Sequence, residues 1–308
     1  MKKILLLYNS RAGDSSFSAR LHDFVEVFQE DYIVEMCDVT GVELSSRLSK
    51  LNISDYSFFI IAGGDGTVNR VINILMKFNI KVPAGILPVG TSNDFGEILK
   101  MPDNFIEYRQ LLREGRGNIK NLDIGLVNEK YFINVCASGF LTSVAYETPS
   151  DLKNLFGKVA YYLKGVQKLT DLNPLPLKIS TPDNEIEKDF CIVLILNSGR
   201  AGGFTKITPE KSLNDGKFEL VGIEYSGVYE MFTSLVDVFI NNSWQESEEN
   251  ITFLRSDSFN LQMLDSNREL KSDIDGEEGP LFPLDVKIEK EAFPFVVNAR
   301  EISDILKK

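Results

Sequence analysis

Phe58-Phe59-Ile60-Ile61-Ala62-Gly63-Gly64-Asp65-Gly66-Thr67-Val68-Asn69-Arg70 is the stretch on which the reading of this chain turns. Five apolar residues in a row, two aromatic and two β-branched, describe a strand buried on both faces. The run stops at Gly63-Gly64-Asp65-Gly66, and Val71, Ile72, Ile74 and Leu75 then share one helical stripe. Strand, glycine turn and helix together aim backbone N–H groups and a helix N-terminus at one point, a geometry suited to phosphate. Glycines let the backbone approach a ligand without a Cβ in the way. Thr67 can cap the helix or touch a phosphate oxygen, and Asp65 places a carboxylate where magnesium or a donor group is handled. The string is neither a Walker loop nor the spaced GxGxxG of a dinucleotide fold.

The pattern repeats on either side. Lys2 to Tyr8 reads as a first buried strand followed by the small-residue turn Asn9-Ser10-Arg11-Ala12-Gly13-Asp14. That turn is a second candidate for touching nucleotide phosphates, although a plain βα connection fits its residues as well. Leu21, Phe24, Val25 and Phe28 share a helical face, and Tyr32 to Met36 forms a second strand ending in Asp38-Val39-Thr40-Gly41. Thr40 therefore lies at a strand's C-terminal end, where open α/β sheets bind ligands. Val82 to Val89 is a further strand, running into Gly90-Thr91-Ser92-Asn93-Asp94-Phe95. Alone, that loop is ordinary N-capping. Beside the first glycine loop it makes a polar crevice in which Thr91 and Asn93 hydrogen-bond a nucleotide and Asp94 lies near a metal.

Composition narrows the class. The 308 residues carry 43% hydrophobic and 25% charged side chains, which describes a soluble globular chain with two domains. Residues 1–120 hold 14 basic and 15 acidic side chains and residues 121–308 hold 19 and 30, so −1 and −11 give the net charge of −12. No basic stripe for nucleic acid is visible, and the acidity opposes strong adhesion to anionic lipid. No apolar run approaches the roughly 20 residues a membrane-spanning helix needs. Cys37, Cys136 and Cys191 are odd in number and far apart, fitting neither a disulfide framework nor a metal cluster, so a reduced, cytoplasmic setting is expected. His22, the single histidine, reads as a solvated helix residue, which removes Ser-His-Asp and Cys-His chemistry.

From about Asn121 the texture changes to short alternating runs: 122–127, 130–137, 177–180, 189–196, 217–223, 251–254 and 259–264. Regularly spaced short strands predict a mostly antiparallel sandwich. Leu152 to Leu169 interrupts them as an amphipathic helix bearing Lys153, Lys158, Lys164 and Lys168. It either rests on a membrane surface or packs on the core with its lysines solvated. Asn214-Asp215-Gly216 signals a tight hairpin turn, and an Asp with nearby carbonyls can hold a hard cation. Asp273 to Glu278 gathers four carboxylates in six residues, a composition common in exposed loops. Glu301 to Lys308 is expected to be a terminal helix.

Taken together, GGDGTVN (63–69), LPVGTSNDF (87–95), FGKVAYYL (156–163), NSGRAGG (197–203), LNDG (213–216) and DGE (275–277) resemble the diacylglycerol kinase catalytic family, specifically its bacterial soluble lipid kinases. GGDG alone is shared with NAD kinases; the GT-x-ND string paired with a late DGE is the specific signal. The resemblance implies a Rossmann-like α/β domain over 1–120, of NAD kinase/diacylglycerol kinase type, and a β-sandwich domain over 121–298, with 299–308 packing back on the first. It implies ATP held by Asn9, Ser10, Arg11, Ala12, Gly13, Thr40, Gly63, Gly64, Asp65, Gly66, Thr67, Val68, Asn69 and Thr91, with a lipid hydroxyl presented between the domains. It assigns Glu277 as the base, and places a structural Mg2+ at Asp215 with main-chain carbonyls of Ser212 and Lys217. Ser10, Ser92, Ala201 and Lys211 depart from the usual family residues.

Phosphoryl transfer asks for positioned phosphates, a divalent ion and an oriented nucleophile. Glycine loops and Thr67 position, Asp65 and Asp94 organise Mg2+ and its water, and Glu277 deprotonates the alcohol. The expectation is an ATP-dependent kinase of a lipid alcohol such as diacylglycerol, cytoplasmic and in transient peripheral contact with the membrane. The rivals are an NAD kinase, which the absence of an Asn-Glu pair after the second motif disfavours, and a catalytically weak nucleotide-binding regulator. The identity of the acceptor and the oligomeric state, a homodimer included, are not legible in one chain.

Overall fold

The structure is a computed structural model that describes residues 2–11, 16–41, 44–91, 93–139, 174–201, 204–205, 212–227, 234, 250–265 and 268–302. The chain divides into two units, Met1–Ile124 with Ser212–Asp215 and Glu289–Lys308, and Gly125–Lys211 with Gly216–Ile288.

In the first unit the strands β1 (Lys2–Tyr8), β2 (Tyr32–Asp38), β3 (Tyr56–Gly63) and β4 (Ala84–Pro88) alternate with helices α1 (Ser16–Phe28), α2 (Leu44–Leu48), α3 (Asp65–Lys77), α4 (Asp94–Ile98) and α5 (Phe105–Glu114). The strands run parallel in the order β2-β1-β3-β4. Burial explains the apolar run of β3: Phe59 to Ile61 are fully excluded from solvent, as a parallel strand covered by helices on both faces must be. α1 docks through Phe17, Phe24 and Phe28, with Phe24 stacked on Phe28 at 4.1 Å and edge-on to Phe105 of α5 at 5.5 Å. The start of α5 is capped by Asn104, whose side-chain oxygen accepts from the N–H groups of Ile106 and Glu107. His22 is exposed on α1.

The second unit is an antiparallel β-sandwich. β5 (Ile119–Val127) crosses from the first unit into it, and β6 (Lys130–Phe132), β7 (Val135–Gly139), β8 (Leu175–Ser180), β9 (Glu185–Leu196), β10 (Arg200–Ala201), β11 (Phe204–Thr205) and β12 (Phe218–Glu224) follow. β13 (Ile251–Ser256), β14 (Ser258–Met263), β15 (Lys271–Ile274), β16 (Glu277–Leu281) and β17 (Leu284–Val296) complete it. β17 starts in the second unit against β14 and ends in the first, where Phe295 pairs parallel with Ala84 of β4. β9 is long enough to serve two neighbours along one edge: Glu185 to Phe190 pair with β8, and Ile192 to Leu196 with β7. Strict alternation in β8 sends Leu175, Leu177 and Ile179 inward. There they meet Phe132, Phe190, Phe218 and Phe259 in one apolar core, with Phe132 stacked on Phe218 at 5.4 Å.

Three local expectations change. The apolar run 130–137 is not one strand; it breaks at Ile133-Asn134 between β6 and β7. The acidic stretch 273–278 is not a solvated loop but the β15–β16 hairpin, with Asp273 and Asp275 buried. Asn214 to Gly216 forms a bend rather than a two-residue hairpin, with Gly216 at φ +69°. The helix expected over Leu152–Leu169 lies outside the described residues, as do Ala12, Gly13, Ser92, Gly202, Gly203, Lys211 and 303–308.

All three cysteines are free and buried, Cys37 on β2, Cys136 on β7 and Cys191 on β9. Burial pushes each thiol pKa up, that of Cys191 to about 12.

Candidate active site

The site-forming residues of the first unit gather at the C-terminal ends of β1 to β4, on either side of the point where the strand order reverses between β1 and β3. That is where a doubly wound sheet opens a crevice.

Asn9, just past β1, is the centre of a hydrogen-bond cluster. Its Oδ1 accepts from the Arg11 N–H at 2.9 Å and from the Thr40 hydroxyl at 2.9 Å, and its Nδ2 donates to Thr67 Oγ1 at 3.0 Å. The amide orientation follows from those partners. Because Thr67 accepts from Asn9, its own hydroxyl proton is left to donate to an oxygen such as that of a phosphate. The Ser10 N–H donates to Thr40 Oγ1 at 3.1 Å, and the two hydroxyls meet at 3.1 Å. The loops after β1, β2 and β3 are thereby tied into one surface. The guanidinium of Arg70 on α3 donates to the Val39 carbonyl and adds a further tie.

Asp38 is a member of this cluster that sequence reasoning passed over. Its Oδ1 accepts from the Thr40 N–H at 2.8 Å and the Ser10 N–H at 3.4 Å. Burial alone would raise its pKa, but the Thr40 N–H, the Ser10 and Thr40 hydroxyls and the Ser10 N–H outweigh that and hold it at about 2. The signal was available: an Asp at a strand end bonding the backbone two residues on is an Asx turn.

Gly64 and Gly90 bring the loops after β3 and β4 into backbone contact. A Cβ on Gly90 would lie 2.2 Å from Gly64 Cα and 2.5 Å from its N, which only glycine avoids. A Cβ on Gly63 would lie 2.5 Å from the Thr67 Cβ. Asn93 closes the second loop on itself, accepting from the Gly90 N–H at 2.9 Å and donating to the Gly90 carbonyl at 2.7 Å.

Asp65, the first residue of α3, reaches across to α4. Its Oδ2 accepts from the Asp94 N–H at 3.0 Å and its Oδ1 from the Phe95 N–H at 3.1 Å. The carboxylate thus satisfies two N–H groups that a helix start leaves without intrahelical partners. Asp94 is 7% exposed and Thr91 is exposed. Val68 is buried in the core and its N–H donates to the Gly64 carbonyl at 3.1 Å, so neither its side chain nor its N–H faces a ligand, unlike the expectation from sequence. Buried Asn69 is held by Asn73, whose Nδ2 donates to its carbonyl and Oδ1 at 3.0 Å.

Ser212 and Asp215 belong to the first unit and Lys217 to the second. The Ser212 hydroxyl and Asn214 Oδ1 are 3.2 Å apart, and the Leu213 carbonyl accepts from the Asp123 N–H at 2.8 Å. Buried Asp123, also not anticipated, accepts from the Glu291 N–H at 2.7 Å. No cluster of three or more acidic, histidine or cysteine ligands occurs among the described residues.

In the second unit, Glu277 is the exposed first residue of β16, directly after the turn Asp275-Gly276. Both turn residues have positive φ, +53° and +86°, as a two-residue type I′ hairpin requires.

A parallel sheet with glycine-cornered polar loops at its strand ends, joined to an antiparallel sandwich, defines a phosphotransferase class. Residues 3–127 match the family model for the diacylglycerol kinase catalytic domain, and residues 134–297 match that for the YegS C-terminal NAD kinase β-sandwich-like domain. A diacylglycerol kinase of Bacillus subtilis (strain 168) is 28% identical over 286 residues, covering 92% of each chain. One from Staphylococcus epidermidis is 29% identical over 288 residues, covering 92% of this chain and 88% of that one. The crystal structure of a candidate diacylglycerol kinase from Bacillus anthracis str. Sterne superposes with a TM-score of 0.79 at 23% identity, covering 96% and 95%.

The chain belongs to the diacylglycerol kinase catalytic-domain family of bacterial lipid kinases. It is an ATP-dependent lipid kinase, transferring phosphate to an alcohol group.

Proposed function

We propose that the acceptor is diacylglycerol and the product a phosphatidate, with ATP held at the strand ends of the first unit. The observation that supports this reading is the Asp65 bridge to the start of α4, which unites the two glycine-cornered loops beside the Asn9–Thr40–Thr67 cluster.

Backbone N–H groups at the start of α3, from Gly64 to Thr67, and the hydroxyls of Thr67 and Thr91 receive the phosphates, as a glycine turn before a helix does. The loop Asn9–Gly13, with Thr40, contributes further donors. The donors beside the phosphates are oxygen atoms on single carboxylates, which suits Mg2+, an ion held by one or two carboxylates and the substrate's own phosphates. Asp65 and Asp94 are the groups that would hold it, directly or through water; when bound, it neutralises charge on the transferring phosphoryl group. Asp215, with the Ser212 and Lys217 carbonyls of its own loop, is the proposed holder of a structural Mg2+.

Glu277 accepts the proton of the lipid hydroxyl. The freed oxygen bonds to the γ-phosphorus while the bond from that phosphorus to the β–γ bridging oxygen breaks, and ADP leaves. The enzyme reaches its acceptor by transient peripheral association from the cytoplasm. No helix among the described residues is long and apolar enough to cross a membrane.

The test is transfer of radiolabelled γ-phosphate in mixed micelles across diacylglycerol, monoacylglycerol, a sphingoid base, undecaprenol, phosphatidylglycerol and NAD. Labelling of diacylglycerol above the others is expected; label on NAD and on no lipid would overturn the reading.

A further inference from the structure

The Glu277 carboxylate has no hydrogen bond or ion pair among the described residues, so its place is set by its backbone. That backbone leaves a two-residue turn, Asp275-Gly276, closing the β15–β16 hairpin in which Ile274 pairs with Glu277. The turn is anchored by a carboxylate. Asp275, 9% exposed, accepts from three successive N–H groups: Ile133 at 2.6 Å to Oδ2, and Asn134 at 2.8 Å and Val135 at 2.9 Å to Oδ1. Its own N–H donates to the Val135 carbonyl at 3.0 Å. On the other side of the turn, Asp273 Oδ1 accepts from the Gly276 N–H at 2.9 Å.

These bonds explain a local cost. Asp275 sits at φ +53°, a conformation disfavoured for a residue with a Cβ, yet a type I′ turn needs it there. Three charge-assisted bonds on one carboxylate hold it in place. They also explain the break between β6 and β7: Ile133 and Asn134 leave the ladder and turn their N–H groups onto Asp275 instead. Asn134 and Ile133 are held in turn by Asn197, whose N–H donates to the Asn134 carbonyl at 2.8 Å and whose Nδ2 donates to the Ile133 carbonyl at 2.9 Å.

We infer that Asp275 is a positioning residue for Glu277, fixing the turn that aims the base through a backbone nest at 133–135. This rests on the assignment of Glu277 as the base. A displacement near 1 Å at a reacting group can cost on the order of 10²-fold in rate. The ATP contacts are assigned to the first unit and this turn belongs to the second, so KM for ATP is the readout that separates a misaimed base from a damaged nucleotide site.

The experiment compares Asp275→Asn, Glu277→Gln and the double variant for kcat, KM for ATP and Tm. An Asn keeps one acceptor oxygen but sets an NH2 against a nest of donors. Asp275→Asn is expected to lower kcat by about 10²-fold with KM for ATP unchanged. In the Glu277→Gln background it should lower kcat no further, because a base that is absent cannot be misaimed. A normal kcat for folded Asp275→Asn, or a full additional loss in the double variant, would overturn the inference while leaving the base assignment standing. A normal kcat for Glu277→Gln would instead remove the base assignment. If Asp275→Asn does not fold, Gly276→Ala carries the test. Its Cβ meets nothing within 4 Å, so it strains only the φ +86° turn. A lower kcat at constant KM for ATP supports the inference, and an unchanged kcat overturns it.

Discussion

Gly90 and Gly64 touch backbone to backbone, so closely that a Cβ on Gly90 would lie 2.2 Å from Gly64 Cα. Two loops that come from different strands thereby become one wall, and the contact tolerates no side chain. Gly90→Ala must push backbone rather than a flexible side chain. It is expected to cost about 1–3 kcal/mol of stability, as overpacking does, and to raise KM for ATP. Thermal melts and ATP-dependent kinetics check this; wild-type values of both would show that the wall yields freely.

Asp65 caps α4 from outside that helix, so its removal has a structural and a chemical reading that can be separated. Asp65→Ala leaves the N–H groups of Asp94 and Phe95 without their acceptor, at a cost of about 0.5–2 kcal/mol for a lost cap. Activity should vanish while the fold persists. Asp65→Asn keeps one acceptor oxygen and should recover part of the stability without the activity. If Asp65→Asn turned over at the normal rate, the carboxylate would have no chemical part beyond capping.

Glu277 is exposed and begins a strand next to a turn, so truncating it disturbs no core. Glu277→Ala should leave Tm and ATP binding unchanged and lower kcat by about 10²–10⁴-fold, the usual contribution of a general base. Isothermal titration with a non-hydrolysable ATP analogue, run beside the transfer assay, separates binding from turnover. A loss of ATP affinity equal to the loss of rate would contradict the assignment.

Asp38 makes stability depend on acid. Its folded pKa of about 2 lies below its ordinary 3.8, so the unfolded chain binds its proton first as pH falls. The stabilisation from its bonds is complete above about pH 4 and is lost between there and about pH 2. Asp38→Asn should therefore melt below the wild type at pH 6, with the difference shrinking through this window. A difference of constant size from pH 6 to pH 2 would exclude ionisation as its source.

Much of this was readable in the chain. The strand at Phe58–Ala62 and the helix after it are legible because a doubly buried strand admits only apolar residues and the glycines mark where it must stop. The connection itself is shorter than the sequence suggests, with Gly64 alone between β3 and α3. The loops at Asn9 and Thr40 were placed correctly at strand ends because βα connections are local. Partners far apart in sequence were not readable. The Asp65 carboxylate meets N–H groups 29 and 30 positions away, and no spacing rule reports that. Asp275 was hidden for a different reason: four carboxylates in six residues look solvated, and only the broken strand at Ile133-Asn134 reveals where one of them is bound. The run 130–137 reads as one short strand, since Ile133 is as apolar as its neighbours and a single polar residue, Asn134, does not mark a break.

The three buried cysteines equip the protein to report on itself. A thiol reagent attacks the thiolate, and burial raises all three thiol pKa values, so modification proceeds only from opened conformations. Cys37 belongs to the first unit and Cys136 and Cys191 to the second. Labelling rates at these native positions, followed by peptide mass, would therefore measure separately how often each half breathes, with no engineered probe.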